Sequence, residues 1–131
     1  MQRARDRSTG NDTLDLLSQE ISLTKELIAA NEVALRQSES ELAAEMSKLR
    51  TLGLEVDEYG NITNAEYIRG QYANGADEDK RKEIDDTIKG YDEILDKVNS
   101  YREAVNDAQD EIKDLWDEYN TELMETISLF D

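Results

Sequence analysis

Leucine or isoleucine recurs at every seventh position through Leu14, Ile21, Ile28, Leu35, Leu42 and Leu49. A sustained seven-residue apolar repeat puts one oily stripe on a helix and calls for a second helix to cover it. That second helix is in the same chain. Ile84, Tyr91, Val98, Val105, Ile112 and Tyr119 repeat at the same spacing, with Ile88, Leu95, Arg102, Gln109, Trp116 and Leu123 as companions four residues on and Phe130 beyond them. There is no proline and there are six glycines, so little in either stretch would break a helix.

In the first repeat the companions three residues on are Leu17, Thr24, Asn31, Ser38, Glu45 and Leu52, apolar at the ends and polar in the middle. Arg102 and Gln109 give the second repeat polar middle positions too. Antiparallel folding sets these polar layers opposite each other and lets apolar ends meet, with Asn31 as a candidate for fixing register. The expected class is therefore all-α: a long antiparallel helical hairpin or coiled coil. Its seam residues are Leu14, Ile21, Ile28, Leu35, Leu42, Leu49, Ile84, Tyr91, Val98, Val105, Ile112, Trp116 and Tyr119. Leu23, Leu27, Ala30 and Ala34 widen the apolar face of the first helix beyond a two-stranded zipper.

The segmentation follows. Residues 1–11, with Arg3, Arg5 and Arg7 and almost nothing apolar, read as a flexible basic arm. Asp12 is a plausible N-cap for a first helix over 12–53, a tip element occupies 54–76, and a second, acidic helix covers 77–131. At a rise of about 1.5 Å per residue the two helices would be roughly 60 and 80 Å long.

LGLEVDEYGNITNAEYI, from Leu52 to Ile68, interrupts the helical pattern. Gly53 is placed to take the left-handed conformation that ends a helix, with Leu54 falling back on Leu49 as in a Schellman ending. Residues 55–57 and 61–63 can pair as a small β-hairpin, Gly60 supplying positive φ. Thr63 and Glu66 match a capping box, with Ile62 and Tyr67 spaced as its hydrophobic staple, so a short helix is expected from Asn64 to about Ala73. Asp77, Glu78 and Asp79 then put negative charge where the dipole of the second long helix favours it.

The net charge is −17, from 32 acidic and 15 basic residues, with the stretch from residue 77 onward the more acidic. Such a surface repels a phosphate backbone, so no nucleic acid partner is expected. No apolar run approaches the roughly 20 residues that span a bilayer. With neither cysteine nor histidine, nucleophilic catalysis lacks its usual nucleophile and base, and serine alone is inert. Carboxylates are abundant, but acids on an acidic helix face are ordinarily solvated. Asp57, Glu58, Asn61 and Asn64 surround a glycine turn without the spacing of a twelve-residue calcium loop. The expectation is a non-enzyme with no cofactor, no metal and no small-molecule substrate, whose partners are proteins or further copies of itself. Tyr59, Asn61 and Tyr72 are the candidate contact residues at the tip.

At LGLEVDEYGNITNAEYI and the later YDEILDKVNSYREAVNDAQDEIKDLWDEYN, the chain resembles segments of the tail tape-measure proteins of long-tailed bacteriophages. These commonly join long acidic helices through an element of the form LGL-x-x-D-x-x-GNITN. The resemblance runs from Leu52 to the C-terminus, the first helix matching by pattern only. It implies a virion structural role: a mostly helical protein in the tail tube whose length sets tail length and which leaves the tube as DNA is delivered. It brings no catalytic or metal residues, and it implies the virion tail as location where a cytoplasmic one is otherwise expected. Tape measures run to many hundreds of residues, so the match implies either a segment of a longer protein or a likeness confined to the hairpin module. The other class consistent with the residues is a coiled-coil adaptor that binds a protein through its tip or a helix face.

Overall fold

A computed structural model describes residues 2–128, with side chains from residue 12 to 128. The chain is all-α in class. Helix α1 spans Gln2–Thr51, α2 spans Ala65–Gln71, a one-turn 3₁₀ helix spans Gly75–Asp77, and α3 spans Glu78–Ser128. Helix α1 packs against α3. It begins well before Asp12, which lies inside the helix and is not its cap; the side chains of residues 1–11, and Phe130 of the second repeat, fall outside the described residues.

Two compact units form. Unit 1 comprises Met1–Val33 and Glu103–Asp131, and unit 2 comprises Ala34–Arg102. In unit 1, Leu17, Ile21 and Leu115 make a small core with Tyr119 against it, and Val105 and Ala108 are buried as well. In unit 2, Leu49, Leu54, Ile68, Ile84 and Tyr91 form the core, surrounded by Leu42, Met46, Val56, Ile62, Ile88 and Leu95 among others. Pairing in unit 2 runs antiparallel: Lys97 reaches Glu41 at 3.4 Å while Arg102, further along α3, reaches back to Glu39 at 3.7 Å.

No member of the first repeat is exposed. Ile21 and Leu49 are buried, Leu14, Ile28, Leu35 and Leu42 are half-buried, and the companions Leu17, Thr24 and Ser38 are buried. The two hydroxyls cost little there, because Thr24 donates to the Glu20 carbonyl at 2.8 Å and Ser38 to that of Leu35 at 2.9 Å.

The second repeat departs from expectation in its companion row. Ile84, Tyr91, Val98 and Val105 are buried and Ile112 and Tyr119 half-buried. In unit 2 the residues four places on, Ile88 and Leu95, join the core as expected. In unit 1 the companions lie three places on, at Ala108 and Leu115. Gln109 is exposed and Trp116, expected in the seam, is 41% exposed; in unit 2 Arg102 is exposed too. The cause is what each unit offers α3. In unit 2 it covers both α1 and the segment between the helices, and Leu95 lies against Gly60 there. In unit 1 it has α1 alone to cover, and the stripe returns to the three-residue offset that α1 itself uses.

Candidate functional site

The connector between α1 and α3 belongs to unit 2 and is built almost wholly by backbone capping. Helix α1 ends in a Schellman motif: Leu54 N–H donates to the Leu49 carbonyl and Gly53 N–H to that of Arg50, both at 2.9 Å, with Gly53 at φ +84°. Leu54 and Leu49 are then both buried in the same core. Asp57 organises the next turn. Its Oδ1 accepts from the backbone N–H of Tyr59 at 2.9 Å and of Asn61 at 2.8 Å, which satisfies two donors that the turn would otherwise leave to water. Gly60 completes it at φ +86°.

Two three-residue strands do not form here. Among the described residues a single antiparallel bridge, Val56 to Ile62, closes the loop, with Asp57 N–H donating to Asn61 and Thr63 N–H to Glu55. Three residues a side are too few for a ladder once the Asp57 side chain has claimed the turn.

The capping box is also replaced. The N-cap of α2 is Asn64, one residue later than Thr63, and it makes no side-chain cap bond. Its amide faces backwards: Oδ1 accepts from Glu55 N–H at 2.8 Å and Nδ2 donates to the Gly53 carbonyl at 3.0 Å. One side chain thereby ties the start of α2 to the end of α1. Helix α2 stops at Gln71 and buries Ile68 alone, and Tyr67 one position earlier, expected as the staple partner of Ile62, is largely exposed.

Tyr91 of α3 holds the loop down. It is 1% exposed, and its hydroxyl donates to the Gly60 carbonyl at 2.6 Å. Burial, then the nearby carboxylates of Asp92 and Asp57, raise its pKa above the ordinary 10.0. Arg69 of α2 meets Asp85 of α3 at 2.7 Å, and Arg81 donates to the Tyr72 carbonyl at 3.1 Å.

The three candidate contact residues are thus separated in role. Tyr59 and Asn61 share the Asp57 turn and are exposed, Tyr59 at 80%. Tyr72 is half-buried, packed on the unit 2 core with Lys80 above its ring, and so is committed to the fold. Tyr67, which sequence pattern assigned to packing, is the second exposed aromatic of the connector. No group of three or more metal-ligating side chains exists among the described residues, and no helix among them is long and apolar enough to cross a membrane. Comparison with family models, with curated proteins and with solved structures returns no match.

Proposed function

We propose that the chain is a non-enzymatic helical structural protein, a segment of a bacteriophage tail tape-measure protein that takes part in tail assembly and in setting tail length. One observation carries the reading. The residues through which the chain resembles that family are the ones that fold the connector: Gly53 and Gly60 at positive φ, Asp57 capping the turn, Asn64 joining α1 to α2. The motif is a way of turning from one acidic helix into another, which a protein made of successive helices needs repeatedly. In this reading the helix pairs are coiled-coil hairpins, the Val56–Ile62 bridge is the remnant of a β-hairpin tip, and length comes from about 1.5 Å of rise per helical residue.

The test is in the particle. In a phage whose genome encodes this sequence, peptides of the chain should be found in purified virions, and an in-frame deletion of whole heptads should shorten the tail seen by electron microscopy. Virions without the chain, or tails of unchanged length, would refute it.

A second reading, an adaptor that contacts a protein through the connector, is favoured by Tyr59 and Tyr67, both large aromatics facing solvent. Protein partners captured equally by the chain and by its Tyr59→Ala, Tyr67→Ala double variant would weigh against it.

A further inference from the structure

Among the described residues of unit 1, an apolar row of α1 lies exposed. Leu16, Leu23 and Leu27 are 59%, 64% and 51% exposed, although Leu17 and Ile21 beside them are buried. With Ala30 they stand at spacings of seven, four and three, which makes a single row about a third of a turn round α1 from the buried face. Glu20 fills the remaining place in it.

Lys25 fixes how α3 is turned beside this row. Its ammonium lies 5.5 Å from the centre of the Trp116 ring, so the Trp116 flank of α3 meets the Lys25 flank of α1, on the far side from the leucines. Among the described residues the Trp116 flank carries Gln109, Lys113 and Asn120, with Asp110 and Asp117 only at its outer edge. Asp110 and Asp117 point outward, and the other acids of this part of α3 are turned the other way, towards the side of the leucine row. Asp107, Glu111, Asp114, Glu118 and Glu125 line up there at helical spacings, all exposed. A hollow on that side is shared by Thr13 and Leu17 of α1 with Asp117, Glu118, Thr121, Glu122 and Glu125 of α3.

An exposed apolar row bordered by a line of carboxylates is complementary to one kind of surface. We infer that this face of unit 1 docks an amphipathic helix of a partner protein, its apolar stripe seated on Leu16, Leu23 and Leu27 and its lysines or arginines facing the acidic line. A second copy fits poorly, because a chain of net charge −17 would bring further carboxylates to the same border. The inference stands on unit 1 alone and does not depend on the tape-measure reading.

The probe is a synthetic five-turn helix with leucine at core spacing and lysine elsewhere, labelled for fluorescence anisotropy and titrated with the full chain. Saturable binding is expected, weakening as salt rises. The paired change Leu23→Gln and Leu27→Gln should lower affinity at least tenfold, while Met124→Gln with Ile127→Gln, off the acidic border, should leave it within about twofold. Circular dichroism checks that both variants remain helical, as exposed sites should allow. No saturable binding, equal binding by all three proteins, equal binding of a peptide with glutamate in place of lysine, or a dimer in sedimentation that Leu23→Gln and Leu27→Gln abolish would each overturn the proposal.

Discussion

Tyr91 and Gly60, thirty-one residues apart, are joined by a 2.6 Å hydrogen bond from a buried phenol to a loop carbonyl. The bond anchors the Asp57 turn to α3, and the glycine at its end is in the left-handed conformation. Replacing Tyr91 by Phe keeps the ring in the core and removes the donor. A loss of about 1–2 kcal/mol is expected, read as a shift in the urea midpoint with unchanged slope. No loss would mean that the bond does not hold the turn.

The same phenol gives a pH signature. Its pKa is raised in the folded chain, through burial first and then Asp92 and Asp57, so the folded state keeps the proton to higher pH than the unfolded state does. The stabilisation is complete below pH 10 and is lost as pH rises from there through the raised folded value. Tyr91→Phe should therefore flatten part of the fall in stability above pH 10; parallel profiles for the two proteins would contradict this.

Three glycines should answer differently to alanine. At Gly60 a Cβ would be both left-handed and 3.4 Å from Leu95 and from the Tyr91 hydroxyl, so a loss of about 2 kcal/mol or more is expected. At Gly53 the conformation is the same, but the nearest atom, Ile68 Cδ1, is at an ordinary 3.5 Å, and the expected loss is about 1–2 kcal/mol. Gly70, inside α2 with open space around it, should gain about 0.5–1 kcal/mol as alanine. Thermal melts of the three variants check the order, and a reversal between Gly60 and Gly70 would contradict the connector geometry.

Asn64 and Thr63 separate the observed cap from the one the pattern predicts. Asn64→Ala removes two bonds to the backbone and should cost about 1–2 kcal/mol, whereas Thr63→Ala, whose hydroxyl lies 3.5 Å from the Glu55 carbonyl, should cost under about 0.5 kcal/mol. A working capping box would give Thr63 the larger effect.

These contrasts mark where the sequence is informative. Gly53 and Leu54 were legible because a Schellman ending is decided within six residues, and the rows through Ile21, Leu49, Ile84 and Tyr91 because a seven-residue period survives any detail of packing. Ala108 and Leu115 were not, since companions three or four places on share a face and the neighbour decides between them. Trp116 misled as a large apolar residue whose ring, under Lys25 at 5.5 Å and edge-on to Tyr119, packs on the flank of the pair and not in its seam. Asn64 was hidden for a different reason. Its partners lie nine and eleven residues back, while Thr63 and Glu66 satisfied a local pattern that tertiary contact overrode.

The most direct measurement is the distance between spin labels on Glu41→Cys and Lys97→Cys in the otherwise cysteine-free chain, taken by double electron–electron resonance on the monomer. Antiparallel packing of α1 on α3 in unit 2 puts these neighbours at the short limit of the method. A helix continuing unturned between them would part them by about 80 Å, and a long distance would contradict the fold on which the account rests.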